Sequence, residues 1–150
     1  MKIGDIMTKD VRHVTSSDPV MKAVNLMRDI NVGAVPVVDG QSLVGIVTDR
    51  DILTRCIAEG QDPSKCHVSA HMSADLATAK PSTDIDEALH LMADRQVRRL
   101  PVVEGDRLVG IVTLGDLAVE TKGEDKEIEA SLKKISVPVH QTERGLKKAV

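Results

Sequence analysis

Two short motifs pair a hydroxyl with a carboxylate three residues later: Thr48 with Asp51, and Thr113 with Asp116. Each motif follows a β-branched run and precedes apolar residues at helical spacing, so it lies where a strand ends and a helix begins. The free backbone N–H groups of a helix start favour an anion such as phosphate. The threonine hydroxyl adds one donor for phosphate, and the carboxylate can accept from both hydroxyls of a ribose. The same spacing is also a helix-capping box, and the two roles can coexist.

The two motifs belong to a direct repeat with a constant offset of 65 residues. Residues 7–53 align with residues 72–118 without a gap, and the run Leu43–Thr48 returns unchanged as Leu108–Thr113. Self-similarity of this kind indicates that one structural unit was duplicated.

Each copy predicts the same order of elements, β-α-β-β-α. In the first copy an extended piece, Val11–Thr15, precedes a helix that starts at Ser17-Asp18-Pro19, where capping side chains and proline are typical. Two strands flank an Asp-Gly turn, and the last helix runs from about Asp49 to Glu59. A unit of roughly 60 residues buries little surface by itself. We therefore expect two units packed sheet to sheet with quasi-twofold symmetry, and the strands of both units in a shared core.

The composition excludes several function classes. The chain of 150 residues has a net charge of −3, no basic run and no Phe, Tyr or Trp, which disfavours nucleic-acid binding by bulk charge or base stacking. No apolar run is long enough to span a membrane, and the N-terminus does not read as a signal peptide. Two cysteines are too few for a disulfide scaffold, so we expect a cytoplasmic protein. No convincing catalytic set is present, so we predict no enzymatic activity and no required cofactor.

The Pro-Val-Val-acidic-Gly turns beginning at Pro36 and Pro101, the repeated Leu-Val-Gly-Ile-Val-Thr run and the Thr-x-x-Asp motifs resemble a tandem pair of CBS domains, often called a Bateman module. The resemblance implies an α+β fold with one CBS repeat over residues 1–63, a second over 64–120, and an extension, 121–150, that we expect to be helical in part. It also implies homodimers that signal to a client protein. The implied regulatory ligand is an adenine nucleotide or a relative (AMP, ADP, ATP, NAD or S-adenosylmethionine), bound in clefts between the repeats.

The resemblance builds each cleft from parts of both repeats. In the first cleft Thr48 and Asp51 bind the sugar phosphate, with weak support for Arg50 facing the phosphate. The residues before Pro101 read the adenine edge through their backbone groups, while aliphatic neighbours cover its faces. Arginine binds phosphate through a planar fork of donors, although a solvated surface pair is the alternative interpretation of the two arginines here. The residues expected opposite Thr48 and Asp51 are Thr83, Ala88, Val97, Arg98, Arg99 and Leu100.

The second cleft has a different set of side chains. Thr113 and Asp116 are expected to face the first repeat, where Asp18 stands at a position that is commonly threonine in the family. A carboxylate near a phosphate is repulsive, so anion binding is in doubt here. The residues expected opposite Thr113 and Asp116 are Asp18, Ala23, Gly33, Ala34 and Val35.

Two alternative functions remain open. The first is a protein-interaction or assembly module with empty clefts, which the carboxylate of Asp18 favours. The second is a metal sensor, because Cys56, Cys66, His67 and His71 lie close together in the sequence and are soft ligands of the kind that bind zinc. Against a metal, Cys56 falls at an apolar helical position where a small buried thiol is ordinary, and the spacing is not a paired Cys-x-x-Cys. We therefore favour nucleotide binding and predict no metal ligands.

Overall fold

The computed structural model describes residues 1–121 and 126–136. Each repeat supplies a helix, a two-stranded hairpin and a second helix, which confirms the expected mixture of α and β elements. A π-helical segment, Leu53–Ile57, continues α3. The chain that follows, residues 58–84, is called the linker, and it contains a 3-10 turn, Val68–Ala70. The elements are α1 (Ile3–Ile6), α2 (Val20–Ile30), β1 (Ala34–Asp39), β2 (Ser42–Thr48), α3 (Asp49–Ile52), α4 (Ile85–Arg95), β3 (Arg99–Glu104), β4 (Arg107–Thr113), α5 (Leu114–Glu120) and α6 (Lys126–Ser136).

Helices α2 and α4 form because apolar residues recur on one face of each. In α2 this face includes Val20, Ala23 and Met27, all buried. Each helix ends at a residue with left-handed backbone, Asn31 (φ 55) in the first repeat and Gln96 (φ 52) in the second. This conformation ends the helix and turns the chain toward the following strand.

The four strands form one antiparallel sheet in the order β1-β2-β4-β3. Each repeat contributes a hairpin closed at a glycine with left-handed backbone, Gly40 (φ 63) in the first and Gly105 (φ 62) in the second. The two hairpins join where Ser42 of β2 pairs with Arg107 of β4. The extended pieces expected before α2 and α4 are reduced to single parallel bridges onto β1 and β3.

The buried apolar residues form two clusters, one in each repeat, rather than the single shared core expected from the sequence. Val37 and Val47 pack with residues of α2 in the first cluster. Val102 and Val112 pack with residues of α4 in the second. The expectation of a shared core was wrong because each hairpin buries its apolar side chains against its own helices.

The segments at the starts of the two repeats, residues 3–8 and 68–73, exchange places. Ile3 of α1 is fully buried in the second cluster, and Val68 of the linker is fully buried in the first. Thr8 pairs with β4 of the second repeat, and Ser73 pairs with β2 of the first. This exchange fastens the repeats together and brings the linker beside the end of β2.

Helix α6 covers the helical face of the second repeat. Ile128 is buried in the second cluster, and the Ser131 hydroxyl donates to the Leu89 carbonyl (3.4 Å). The helical part of the C-terminal extension is thus confirmed, while its remaining residues, 122–125 and 137–150, lie outside the described residues. None of the described helices combines the length and the apolar character needed to cross a bilayer.

The corresponding face of the first repeat is open among the described residues. Met21, Leu53 and Ile57 are exposed there and line a groove of about 400 Å³ between α2 and the segment after α3. The two repeats therefore differ in how their helical faces are covered.

Candidate functional site

A cleft of about 390 Å³ lies between the two repeats. The first repeat contributes the end of β2, the start of α3 and the start of β1. The second repeat contributes the linker and the stretch of chain that leads from the end of α4 into β3. The lining residues are Ala34, Ile46, Thr48, Asp51, Ser73, Asp75, Leu76, Ala77, Arg95, Val97, Arg98, Arg99 and Pro101.

Thr48 and Asp51 form a capping box at the start of α3. The Asp51 N–H donates to Thr48 Oγ1 (3.1 Å), and the Thr48 N–H donates to Asp51 Oδ2 (3.1 Å). Because Thr48 Oγ1 is an acceptor in this bond, its own hydrogen can still be donated to a phosphate oxygen. The other carboxylate oxygen, Oδ1, is 3.9 Å from Arg55 Nη2, beyond hydrogen-bond distance, so it can accept from a ribose hydroxyl. Capping and ligand binding are therefore compatible in this geometry.

Three arginines give the cleft its positive charge. Arg95 Nη2 lies 3.1 Å from Asp75 Oδ1, an exposed pair of the kind that contributes little to stability. Arg98 is exposed and Arg99 is half-buried. Within residues 1–121 and 126–136, neither Arg98 nor Arg99 forms an ion pair, so both guanidinium groups are available to an anion.

Four residues predicted for this cleft are not among its lining residues. Ala88 and Leu100 are fully buried in the second cluster. The Thr83 hydroxyl oxygen accepts the Lys80 N–H (2.9 Å) in the turn before α4, and Arg50 is exposed on α3. Thr83 and Ala88 were expected from the start of α4, whereas the structure brings the end of that helix and the stretch after it to the cleft.

Sequence reasoning also missed Arg95 and the linker residues that line the cleft. Arg95 stands in the last turn of α4, so the length of that helix was the signal that pointed to it. The linker reaches the cleft because Ser73 and Ile46 exchange two backbone hydrogen bonds (2.8 and 2.9 Å). This pairing joins distant parts of the chain and has no local sequence signal.

The second Thr-x-x-Asp motif forms the same capping box. The Asp116 N–H donates to Thr113 Oγ1 (3.1 Å), and the Thr113 N–H donates to Asp116 Oδ2 (2.8 Å). Where the second repeat has its three arginines, the first repeat has Ile30, Gly33 and Ala34 at the equivalent positions. The second motif therefore has the same capping geometry, but no arginine stands at the positions equivalent to the three arginines of the first cleft.

The residues expected around the second motif lie in the core, at the start of α3 and in the first cleft. Ala23 and Val35 are buried in the first cluster. The Gly33 carbonyl accepts the Asp49 N–H (2.9 Å) at the start of α3. Ala34 lines the first cleft.

Asp18 stabilises the turn that leads into α2. Its Oδ2 accepts the Thr15 N–H (2.8 Å) and lies 3.3 Å from Lys22 Nζ. The bond from the Thr15 N–H, and then the lysine, hold the pKa of Asp18 below its usual value. Thr83 accepts the Lys80 N–H in the same way in the second repeat, so the two equivalent side chains serve the same turn.

Three of the four residues in the cysteine and histidine group are close in space. One ligand atom each from Cys56, Cys66 and His71 lies within 4.8 Å of the others, while the exposed His67 is not part of the group. Cys56 is fully buried, as its place in the helical pattern predicted. Burial raises the pKa of the Cys56 thiol.

A family model described as "CBS domain" matches the chain twice, over residues 3–57 and 68–122. The relative "Uncharacterized protein YlbB" of Bacillus subtilis (strain 168) is 44% identical over 127 residues. These cover 83% of this chain and 85% of the relative.

Three solved structures share the fold. Hypoxic Response Protein I, solved with two coordinated zinc ions, superposes with a TM-score of 0.73 and 35% identity over 80% of this chain and 98% of its own. CBSX2 in complex with AMP gives a TM-score of 0.69 and 29% identity over 81% and 96% of the two chains. The CBS domain pair of protein MJ0100, in complex with 5′-methylthioadenosine and S-adenosyl-L-methionine, gives 0.73 and 28% over 83% and 98%.

Proposed function

Because this chain belongs to the CBS domain family, with one domain in each repeat, we propose that it is a cytoplasmic regulatory module that binds an adenosine-containing nucleotide in the cleft at Thr48 and Asp51. The observation that carries the proposal is the meeting of this capping box with Arg98 and Arg99 in one cleft between the repeats. Two related folds were solved with adenosine-type ligands, AMP in one and 5′-methylthioadenosine with S-adenosyl-L-methionine in the other.

The polar groups of the cleft suit the sugar and the phosphate. Asp51 accepts from the ribose hydroxyls, and Thr48 with the two arginines donates to phosphate oxygens. Hydrogen bonds that involve a charged group contribute about 1.5–3 kcal/mol each, so Asp51 has a large share of the binding free energy.

The apolar part of the lining suits the base. Ile46, Leu76, Val97 and Pro101 offer aliphatic surface for the faces of a purine. The Val97 N–H donates to the Met92 carbonyl (3.0 Å) and the Arg98 carbonyl accepts the Leu114 N–H (2.8 Å), so the Val97 carbonyl and the Arg98 N–H are the groups proposed to meet the polar edge of the ring. Aliphatic contacts replace aromatic stacking, since the chain has no Phe, Tyr or Trp.

We propose that the nucleotide is an effector rather than a substrate. Of the two carboxylates that line the cleft, Asp51 is held in the capping box and Asp75 pairs with Arg95, which suits them to hold a ligand rather than to transfer protons. An effector acts only through different affinity for two arrangements of the protein, here two arrangements of the repeats or of two copies.

The first test is the ultraviolet spectrum of the purified protein, because the chain has no Phe, Tyr or Trp. The chain itself absorbs little in the near ultraviolet, so an adenine group retained through purification dominates the spectrum of the pure protein. Titration calorimetry with AMP, ADP, ATP, NAD and S-adenosylmethionine then identifies the ligand. We expect saturable binding of at least one of them, and we expect it to be about 10–100-fold weaker in Asp51→Ala. If none of the five binds to folded protein, the proposal is contradicted and an assembly module with empty clefts is favoured.

We also propose a homodimer that forms through the open helical face of the first repeat. Leu53 is 61% exposed and Ile57 is 47% exposed in its apolar groove, whereas α6 covers the equivalent face of the second repeat. A second copy of the chain covers this face, and the relative orientation of the two copies is what a client protein detects. Light scattering should show a dimer that Leu53→Asp converts to a monomer. Leu132→Asp, on the exposed part of α6, is the matched control and should stay dimeric.

A further inference from the structure

Three soft ligand groups converge where the segment after α3 meets the linker between the repeats. The ligand atoms of Cys56, Cys66 and His71 all lie within 4.8 Å of one another. The two Sγ atoms are 3.8 Å apart, whereas the sulfurs of a disulfide are about 2.05 Å apart. Two sulfurs that bind one tetrahedral zinc through bonds of about 2.3 Å are separated by about 3.8 Å. The spacing of the thiols thus fits a shared metal ion.

His71 provides an independent indication of a ligand. Only 4% of the residue is exposed, and neither Nδ1 nor Nε2 has a hydrogen-bond partner in the described part of the chain. A buried polar group without a partner costs about 1–3 kcal/mol. A metal ion bound between the imidazole and the two thiols gives one of these nitrogens its partner.

We propose that Cys56, Cys66 and His71 are the protein ligands of a zinc ion. Thiolate and imidazole ligands select zinc over the hard cations Mg²⁺ and Ca²⁺. The fourth position is open to a water molecule or to the side chain of Gln61, whose Oε1 lies 3.3 Å from Cys66 Sγ. Binding replaces two S–H bonds by two Zn–S bonds and releases both protons to solvent. This site is separate from the nucleotide cleft and does not depend on the function proposed for it.

A zinc ion at this position joins the π-helical segment to the linker. Cys56 belongs to the π-helical segment, and Cys66 and His71 flank the 3-10 turn of the linker. The protein contacts across this junction include a long bond from Arg55 Nη1 to the His71 carbonyl (3.5 Å). Metal that binds the folded chain more tightly than the unfolded chain raises the unfolding temperature.

Cobalt(II) is the probe for the first experiment, because its thiolate charge-transfer bands lie in the near ultraviolet, where this chain is nearly transparent. The full chain, reduced and freed of metal, is titrated with cobalt(II) and then with zinc. We expect one equivalent of cobalt(II), with thiolate bands and the strong visible bands of tetrahedral geometry, and its displacement by zinc. Absence of the thiolate bands from fully reduced wild-type protein would overturn the proposal.

The second experiment identifies the ligands. Cys66→Ser and His71→Gln should each bind zinc more than about 100-fold more weakly, since even outer-shell partners account for about 10–100-fold. His67→Gln is the matched control, an exposed histidine of the same linker, and should keep wild-type affinity. Circular dichroism without metal verifies that each variant is folded. Zinc should raise the unfolding temperature of the wild type and of His67→Gln, but not that of Cys66→Ser or His71→Gln. Unchanged affinity in folded His71→Gln, or an equal loss in His67→Gln, contradicts the assignment.

Discussion

The two Thr-x-x-Asp motifs have nearly the same backbone geometry but different surroundings. Thr48 and Asp51 exchange hydrogen bonds of 3.1 and 3.1 Å, and Thr113 and Asp116 exchange bonds of 3.1 and 2.8 Å. Both motifs therefore cap a helix equally well. The capping box alone cannot distinguish a nucleotide site from a structural helix start, and the difference lies in the residues that the other repeat brings to each motif.

The cations are the main difference between the two sites. Arg95, Arg98 and Arg99 line the cleft at the first motif, and their equivalents in the first repeat are an isoleucine, a glycine and an alanine. An arginine fork binds a phosphate, and these three neutral side chains have no comparable donor. The duplication preserved the capping box in both repeats, whereas the three arginines of the first cleft have no arginine at the equivalent positions of the first repeat.

The largest effect should come from removing the first carboxylate. We expect Asp51→Ala to weaken nucleotide binding about 10–100-fold, because a charge-assisted hydrogen bond to the ribose is lost. Asp116→Ala removes the same cap from the other helix and should change affinity less than about threefold. Titration calorimetry measures the two affinities. Both variants should also lose about 1 kcal/mol of folding stability, because each removes part of a helix cap. Equal losses of affinity would show that the two clefts are equivalent.

A smaller effect should follow from removing the two unpaired arginines. We expect the double variant Arg98→Ala, Arg99→Ala to bind AMP about tenfold more weakly, since exposed charge pairs contribute up to about 1 kcal/mol each. Binding of 5′-methylthioadenosine, which has no phosphate, should be unchanged in the same variant. Parallel titrations with the two ligands distinguish loss of phosphate contacts from general damage to the cleft, which lowers both affinities.

The smallest effect concerns the turns before α2 and α4, where Asp18 and Thr83 are equivalent. The pKa of Asp18 is lowered in the folded chain, so its ionised form adds stability at pH values above the unfolded pKa of about 3.9. That stability is lost as the pH falls through the lower, folded pKa. We expect Asp18→Ala to cost about 1 kcal/mol at neutral pH and less in acid. Urea unfolding measures the change.

Thr83→Ala is the control for this titration. It removes a neutral acceptor from the equivalent Lys80 N–H, so its cost should not depend on pH over the same range. A pH-independent cost of Asp18→Ala would show that its carboxylate does not act through its charge.

Local patterns predicted much of the fold and part of the cleft. The repeat, the glycine turns and the apolar stripes indicated two equivalent units, and both Thr-x-x-Asp pairs adopt the capping geometry that their spacing indicates. Thr48, Asp51 and the segment from Val97 to Arg99 do line one cleft. These features depend on residues close in sequence, where spacing translates directly into geometry.

The sequence was least informative where distant segments meet. The single shared core was wrong because each hairpin packs under its own helices, and Thr83 and Ala88 are not in the cleft lining because the end of α4, rather than its start, reaches the cleft. The importance attached to Asp18 came from comparing residue types, whereas the structure shows its carboxylate accepting from the Thr15 N–H. Side-chain direction and burial at these positions depend on the tertiary packing.

The amino-acid sequence by itself determined the duplication, the element order of each repeat and the two helix caps, because these follow from periodicity and from hydrogen bonds between near neighbours. The tertiary structure decided which segments border the cleft, through the exchange of Ile3 and Val68 between the repeats. It also placed Cys66 and His71 beside Cys56. Contacts of this kind depend on how separate hydrophobic surfaces pack, and the same local patterns are compatible with other arrangements.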